Sequence, residues 1–198
     1  WDYLYISTLP DKPEARRVLK IDDDQRVICY ATTWGQTTSL RSRFEAEFEE
    51  GLEAVLKLAR AWEALVIIKV HPHERQGAEA TYAQRLEAAG NPGLVTREHT
   101  TYVLRASDVL ITQSPSNLCI EAAALGLPSC YLQTEGFDYA SELPYRGGVN
   151  DLPHIAEAAL KSTNSPAWGG FVAEYNSEHG RGLAAKNGAE WVREICGL

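Results

Sequence analysis

Asp108-Val-Leu-Ile-Thr112, running into Gln113-Ser-Pro-Ser-Asn117 and then Leu118-Cys-Ile-Glu-Ala-Ala-Ala-Leu125 before Gly126, is the stretch that decides the fold. The first piece is an apolar run too short for a helix and without helical period, which predicts a strand buried on both faces. The second is a polar turn with Pro115 at a position that a helix start tolerates. The third has the composition of a tightly packed helix, stopped by Gly126. Pro128 to Leu132 is again a short apolar run. Strand, turn, helix, strand is the unit of a parallel sheet, because a parallel strand needs a long crossover.

Reading outward from there, the same alternation recurs. Arg26-Val-Ile-Cys-Tyr-Ala31 and Ala64-Leu-Val-Ile-Ile-Lys-Val70 predict two further strands, and Leu94-Val95 a short one. Between them, Phe44, Phe48, Leu52, Val55, Leu56 and Ala59 recur at helical spacing, predicting a helix over 39–62. Helices are also predicted over 78–89, 102–106 and 152–161, with a long loop over 133–151 and helical segments near 170–178 and 183–195. The expectation is an α/β fold, a Rossmann-like doubly wound parallel sheet covered on both faces. Residues 1–25 read as a connecting arm with a short helix around Pro13 to Leu19, 26–162 as the Rossmann-like domain, and 163–198 as helices packing back on it.

The 198 residues carry 19 Lys plus Arg against 27 Asp plus Glu, a net charge of −8, with 44% hydrophobic residues. That balance fits a globular chain and argues against a general nucleic-acid binder, which would show basic clusters. No apolar run approaches the roughly 20 residues that span a bilayer. Cys29, Cys119, Cys130 and Cys196 lack metal or redox spacing, and the first three sit in apolar runs. They read as buried thiols in a reducing compartment, hence cytoplasmic. The chain holds no Met, and the expectation is a piece of a longer protein.

Ligands bind such sheets at the carboxyl ends of the strands. That rule places three loops on one rim: 32–38, 71–74 and 113–117. Ser114 and Ser116 flank a helix start, where exposed amides and a hydroxyl suit a pyrophosphate; the alternative is a plain capped helix. Glu121, in the second turn, could accept from a ribose diol or simply support the cap. His71 ends a strand and could donate to phosphate, while the pair His71 and His73 admits a metal reading that would need further ligands. Lys69 reaches the same end, to meet either phosphate or an ion-pair partner. G-x-G-x-x-G after the first strand, G-x-x-x-x-G-K-[ST] and G-x-S-x-G are all absent, which removes the dinucleotide fingerprint, the Walker loop and the nucleophile elbow. No cofactor and no metal are expected.

Tyr30-Ala-Thr-Thr-Trp34, Ile67-Ile-Lys-Val-His-Pro72 and Ala106-Ser-Asp-Val-Leu-Ile-Thr112, running on into Ser114-Pro-Ser116, Glu121-Ala and Gly126-Leu-Pro128, come in a familiar order. With them the chain resembles the C-terminal, nucleotide-binding half of GT-B glycosyltransferases. It is most similar to the CDP-glycerol glycerophosphotransferase and capsule polysaccharide transferase group. The family's Tyr-Ala-Pro-Thr-Trp has Thr32 in place of Pro here, and its Thr-Asp-Tyr-Ser-Ser has Gln113 in place of Asp. The resemblance implies a transferase moving a glycosyl or glycerophosphate group from a CDP-, UDP- or CMP-linked donor to a cell-surface polymer. It implies His71 as the catalytic group and nucleotide or diphosphate contacts from Thr33, Ser114, Ser116, Asn117 and Glu121. It further implies a separate N-terminal acceptor domain, without which the fragment catalyses little, and peripheral association of the full-length protein with the inner face of the membrane. UDP-GlcNAc 2-epimerases share parts of the pattern, so a sugar-nucleotide epimerase is the enzyme alternative. A doubly wound interaction module is the non-enzyme one.

Overall fold

In a computed structural model of the chain, the described residues are 9–32, 41–113, 116–133 and 145–162, with Glu190, Arg193 and Glu194. The strands are β1 Val27–Ala31, β2 Leu65–Lys69, β3 Gly93–Thr96, β4 Val109–Thr112, β5 Ser129–Leu132 and β6 Arg146–Gly147. The helices are α1 Lys12–Leu19, α2 Arg41–Ala61, α3 Ala78–Ala88, α4 Thr100–Ala106, α5 Asn117–Ala124 and α6 Leu152–Lys161. The strands form one six-stranded sheet in the order β3-β2-β1-β4-β5-β6. Every neighbouring pair is parallel. Strand order reverses between β1 and β4, which is where a doubly wound sheet opens a crevice.

The sheet separates two apolar layers. Ile28, Tyr30, Val66, Ile68, Val109 and Ile111 face α2, α3 and α6. Val27, Cys29, Ile67 and Leu110 face α1, α4 and α5. β1 and β4 are buried along their whole length, so their runs are apolar without alternation, because both faces are covered. Cys29, Cys119 and Cys130 are free and buried. Burial pushes the Cys29 thiol up to about 12, so it stays protonated.

Local chemistry sets the element ends. Asp11 caps α1 by accepting from the Glu14 amide at 2.8 Å. Gly126, at φ 71°, closes α5 in the left-handed region that favours glycine. The amide after it bonds back to Ala122 at 2.8 Å.

Two expectations change. The 133–151 loop contains a sixth strand, β6, pairing Arg146 with Tyr131 and Gly147 with Leu132. A two-residue edge strand carries no periodicity, so nothing in the sequence marks it. The short helix of the expected arm is α1, and it is packed into the fold. Ala15 is fully buried. The buried Arg16 guanidinium donates to Ala106 O at 3.1 Å, to Asp22 O, to Asp23 O and to the Asp108 carboxylate at 3.2 Å. Asp108 also accepts the Val27 amide at 2.7 Å and pairs with Lys12. This cluster closes the amino-terminal edge of β1 and β4. The expected helices near 170–178 and 183–195 lie outside the described residues.

Candidate functional site

The carboxyl-terminal rim is built from the ends of β2, β1 and β4. Register pairs Lys69 with Ala31 and Ala31 with Thr112. His71 thus follows β2, Thr32 follows β1, and the β4–α5 turn with Ser116 follows β4. His71 and Ser116 follow strands that lie on either side of β1 at this edge, about 10 Å apart for two strand spacings. Thr33 and Ser114 lie outside the described residues.

At the mouth of α5, Ser116 is the N-cap. Its backbone is extended (φ −138°, ψ 147°), and its hydroxyl accepts from the Leu118 amide at 3.2 Å. With its lone pair so engaged, the hydroxyl keeps its proton to donate outward. Asn117 is exposed at the first helical position, where the amide has no acceptor within the helix. Glu121 is partly buried one turn on. It interacts electrostatically with Lys69.

His71 is partly buried. Its Nδ1 accepts the His73 amide at 3.1 Å, so Nδ1 carries no proton and the neutral ring has its N–H at Nε2. Burial, then the charges of His73, Lys69 and Arg97, hold its pKa below the usual histidine value. The ring is therefore a neutral donor at physiological pH, with Nδ1 turned into its own loop. His73 stands with its ring centroid 5.2 Å away, edge to face. Among the described residues no three His, Cys, Asp or Glu side chains gather as a metal-binding set.

Thr32, Glu74, Tyr82 and Arg97 hold this loop in place. Thr32 accepts the His71 amide at 2.9 Å on its hydroxyl and donates that hydroxyl to Glu74. Glu74 is buried and also accepts from the Tyr82 hydroxyl at 3.0 Å. Burial raises the Glu74 pKa, against the lowering pull of these hydrogen bonds. From the end of β3, Arg97 donates to the carbonyls of His71 (3.0 Å), Pro72, Glu74 and Arg75, and pairs with Glu79. One guanidinium thus gathers the carbonyls of the turn. The departure at Thr32 has a physical reason: proline there could not supply the hydroxyl that anchors the His71 amide. An Arg directly after a short strand was the available signal for Arg97, and it is a weak one.

The departure at Gln113 is resolved by burial. Gln113 is 1% exposed. It accepts from the Tyr30 hydroxyl at 3.0 Å and donates to Glu47 O at 3.2 Å. It therefore ties β4 to β1 and α2 on the α2/α3 face. A Cβ on Gly51 of α2 would overlap its amide, which fixes glycine at that helix position. Elsewhere, an open cleft lined by Asp11, Glu14, Asp22 and Asp23 lies beside α1. Its acidic wall is unsuited to an anionic ligand.

These features define a parallel sheet with a capped helix mouth and a neutral imidazole on its carboxyl-terminal edge. Solved structures carry the same fold. A variant of the wall teichoic acid polymerase TagF soaked with CDPG aligns over 92% of this chain and 44% of that one, at 16% identity and a TM-score of 0.57. A putative UDP-N-acetylglucosamine 2-epimerase from Listeria monocytogenes aligns over 98% and 51%, at 17% identity and a TM-score of 0.63. The UDP-GlcNAc 2-epimerase from Neisseria meningitidis, bound to UDP-GlcNAc, aligns over 92% and 49%, at 17% identity and a TM-score of 0.60. The chain spans about half the length of these proteins. At such identities the likeness fixes the fold alone, a Rossmann-like half of the GT-B kind. No curated protein matches the chain. The sequence model that matches residues 1–159 is that of CDP-glycerol:poly(glycerophosphate) glycerophosphotransferase. With the sheet, the helix mouth and the His-Pro turn in the order that this family has them, the chain belongs to the CDP-glycerol:poly(glycerophosphate) glycerophosphotransferases.

Proposed function

We propose that this chain is the donor-binding half of a transferase that moves glycerophosphate, or a glycosyl group, from a nucleotide-diphosphate donor to a cell-surface polymer. The observation that carries the reading is the shared edge of His71 and the α5 mouth, on either side of β1 at the strand-order reversal. The Ser116 hydroxyl, the first amides of α5 and the helix dipole suit the donor diphosphate. The Nε2–H of His71 donates to the phosphate oxygens on which charge grows as the bond to the transferred group breaks. That is stabilisation of a leaving group without a metal. Thr33, Ser114 and Asn117 contribute further polar contacts, and Glu121 takes the ribose hydroxyls or orders the cations around it. The surface that holds the acceptor polymer's hydroxyl, and the base that removes its proton, come from the partner half of the full-length protein. That protein works on the cytoplasmic side, at the inner face of the membrane. Among the described residues no helix is long and apolar enough to cross a membrane.

Calorimetric titration of the full-length protein with CDP, UDP and CMP tests the reading. Binding of at least one nucleotide, weakened by His71→Ala, is the expected result. No binding at millimolar concentration would favour an interaction module. Product analysis with UDP-GlcNAc separates a transferase from an epimerase.

A further inference from the structure

The chain is acidic overall, with a net charge of −8. Yet the ends of β2 and β3 bring Lys69, His71 and Arg97 together. Arg97 is occupied by four carbonyls and Glu79. His71 has Nδ1 engaged by the His73 amide. Lys69 differs: it is only 7% exposed, and among the described residues its ammonium takes part in no hydrogen bond or ion pair. Buried lysines are otherwise nearly always paired, because an ammonium removed from water needs a compensating charge or acceptor.

Geometry says which way this charge faces. Ile68 and Val70 belong to the layer under α2 and α3, so Lys69 between them points to the opposite face, that of α4 and α5. His71, two residues further along the extended chain, follows it to the same face, close enough for the Lys69 charge to act on the imidazole. Register carries the row across Ala31 to Thr112, beyond which Ser116 caps the eight-residue α5. The charged and titratable groups around the ammonium are the Cys29 thiol of β1, Arg97 and Glu98 after β3, His71 after β2, and Glu121 of α5.

We infer that Lys69 is a diphosphate-binding residue, its stem buried and its ammonium held beside the mouth of α5 as the counter-charge for a bound anion. The inference rests on the donor-binding reading and deepens it. The helix mouth supplies dipoles and hydrogen bonds; Lys69, from the end of β2, supplies a full positive charge beside it. Glu121 restrains it through space while the site is empty. Burial lowers the ammonium's pKa, Cys29 opposes that shift, Arg97 adds to it, and Glu121 and Glu98 oppose it. An arriving diphosphate would reinforce the charged form.

The test uses the full-length protein, with inorganic pyrophosphate and CDP as probes. Lys69→Met keeps the apolar stem and removes the charge. Affinity for both probes should fall by about tenfold or more, while Tm stays level or rises, because an unpaired buried charge has gone. Unchanged affinity in Lys69→Met overturns the inference and leaves the donor reading standing. A wild-type protein that binds neither CDP, UDP nor CMP overturns both. Should Lys69→Met lose about 5 °C or more of Tm, trace acetylation of the wild type decides. Lys69 should be modified in the free protein and protected by pyrophosphate. Modification that pyrophosphate does not reduce, or no modification at all, overturns the proposal.

Discussion

The two edges of the same sheet treat charge in opposite ways. At the amino-terminal edge Arg16 and Asp108 are brought together, and nearly every polar atom is used. Arg16 spans three carbonyls and a carboxylate, while Asp108 takes an amide, the guanidinium and Lys12. At the carboxyl-terminal edge the Lys69 side chain is also largely buried, but among the described residues its ammonium has no hydrogen-bond or ion-pair partner. There the Ser116 hydroxyl accepts one amide and keeps its proton to donate, and His71 engages Nδ1 and keeps Nε2–H. A buried cation with a full set of partners stabilises the chain; a cation without them is left to interact with what reaches the rim. Strand direction decides which edge is which, since the helices that follow the strands open their N-termini at the carboxyl ends.

Substitutions can break or sharpen that contrast. The largest expected effect is structural: Arg16→Met leaves Asp108 and three carbonyls short of a donor. It should cost about 3 kcal/mol, the low end for a broken buried pair because Lys12 still reaches Asp108. Chemical denaturation measures it, and nucleotide affinity below the transition should be unaltered. Next, Gly51→Ala drives a methyl into Gln113 and should cost about 1–3 kcal/mol as overpacking, again read by denaturation. A neutral result would mean that α2 is free to shift. At the other edge, His71→Ala in the full-length enzyme should lower turnover at least tenfold, about 1.4 kcal/mol, with stability nearly unchanged. Undiminished turnover removes His71 from the mechanism. Ser116→Ala should lose about 1 kcal/mol of helix capping and, unlike the Arg16 variant, weaken nucleotide binding as well.

The smallest effect is a titration. The folded pKa of His71 is depressed, so protonation favours the unfolded chain. The stability contributed by the neutral ring is present above the ordinary histidine pKa and is lost as pH falls from there through the depressed folded value. A nuclear magnetic resonance titration of the free protein should give a His71 midpoint below 6.5. A bound diphosphate should raise it. A midpoint at or above the ordinary value in the free protein would mean that the Nδ1 bond to the His73 amide does not form in solution.

The buried strands were legible because each is a short apolar run between breakers. Val27–Ala31, Leu65–Lys69 and Val109–Thr112 fall within a residue or so of their expected limits. β6 was not legible, since two residues at an edge make no pattern. His71 and Ser116 could be placed on one rim from strand direction alone. Glu74, Tyr82 and Arg97 could not be linked to them. They come from α3, its preceding loop and the end of β3, and only the packing of those elements against β2 brings them to the His71 turn. Gln113 stands where the family has Asp, so from sequence it read as a departure in the site; burial shows a structural tie.

What the chain determined by itself was the alternation of buried strands and helices, and with it a parallel sheet whose ligand edge carries His71, Lys69 and the α5 turn. Hydrophobic period and turn chemistry are local, and they survive without knowledge of contacts. What only the tertiary structure decided was which of those polar groups are already satisfied. Pairing depends on residues far apart in sequence meeting in three dimensions. Arg16 and Asp108, 92 positions apart, meet at one edge, while at the other no such partner among the described residues comes to meet Lys69.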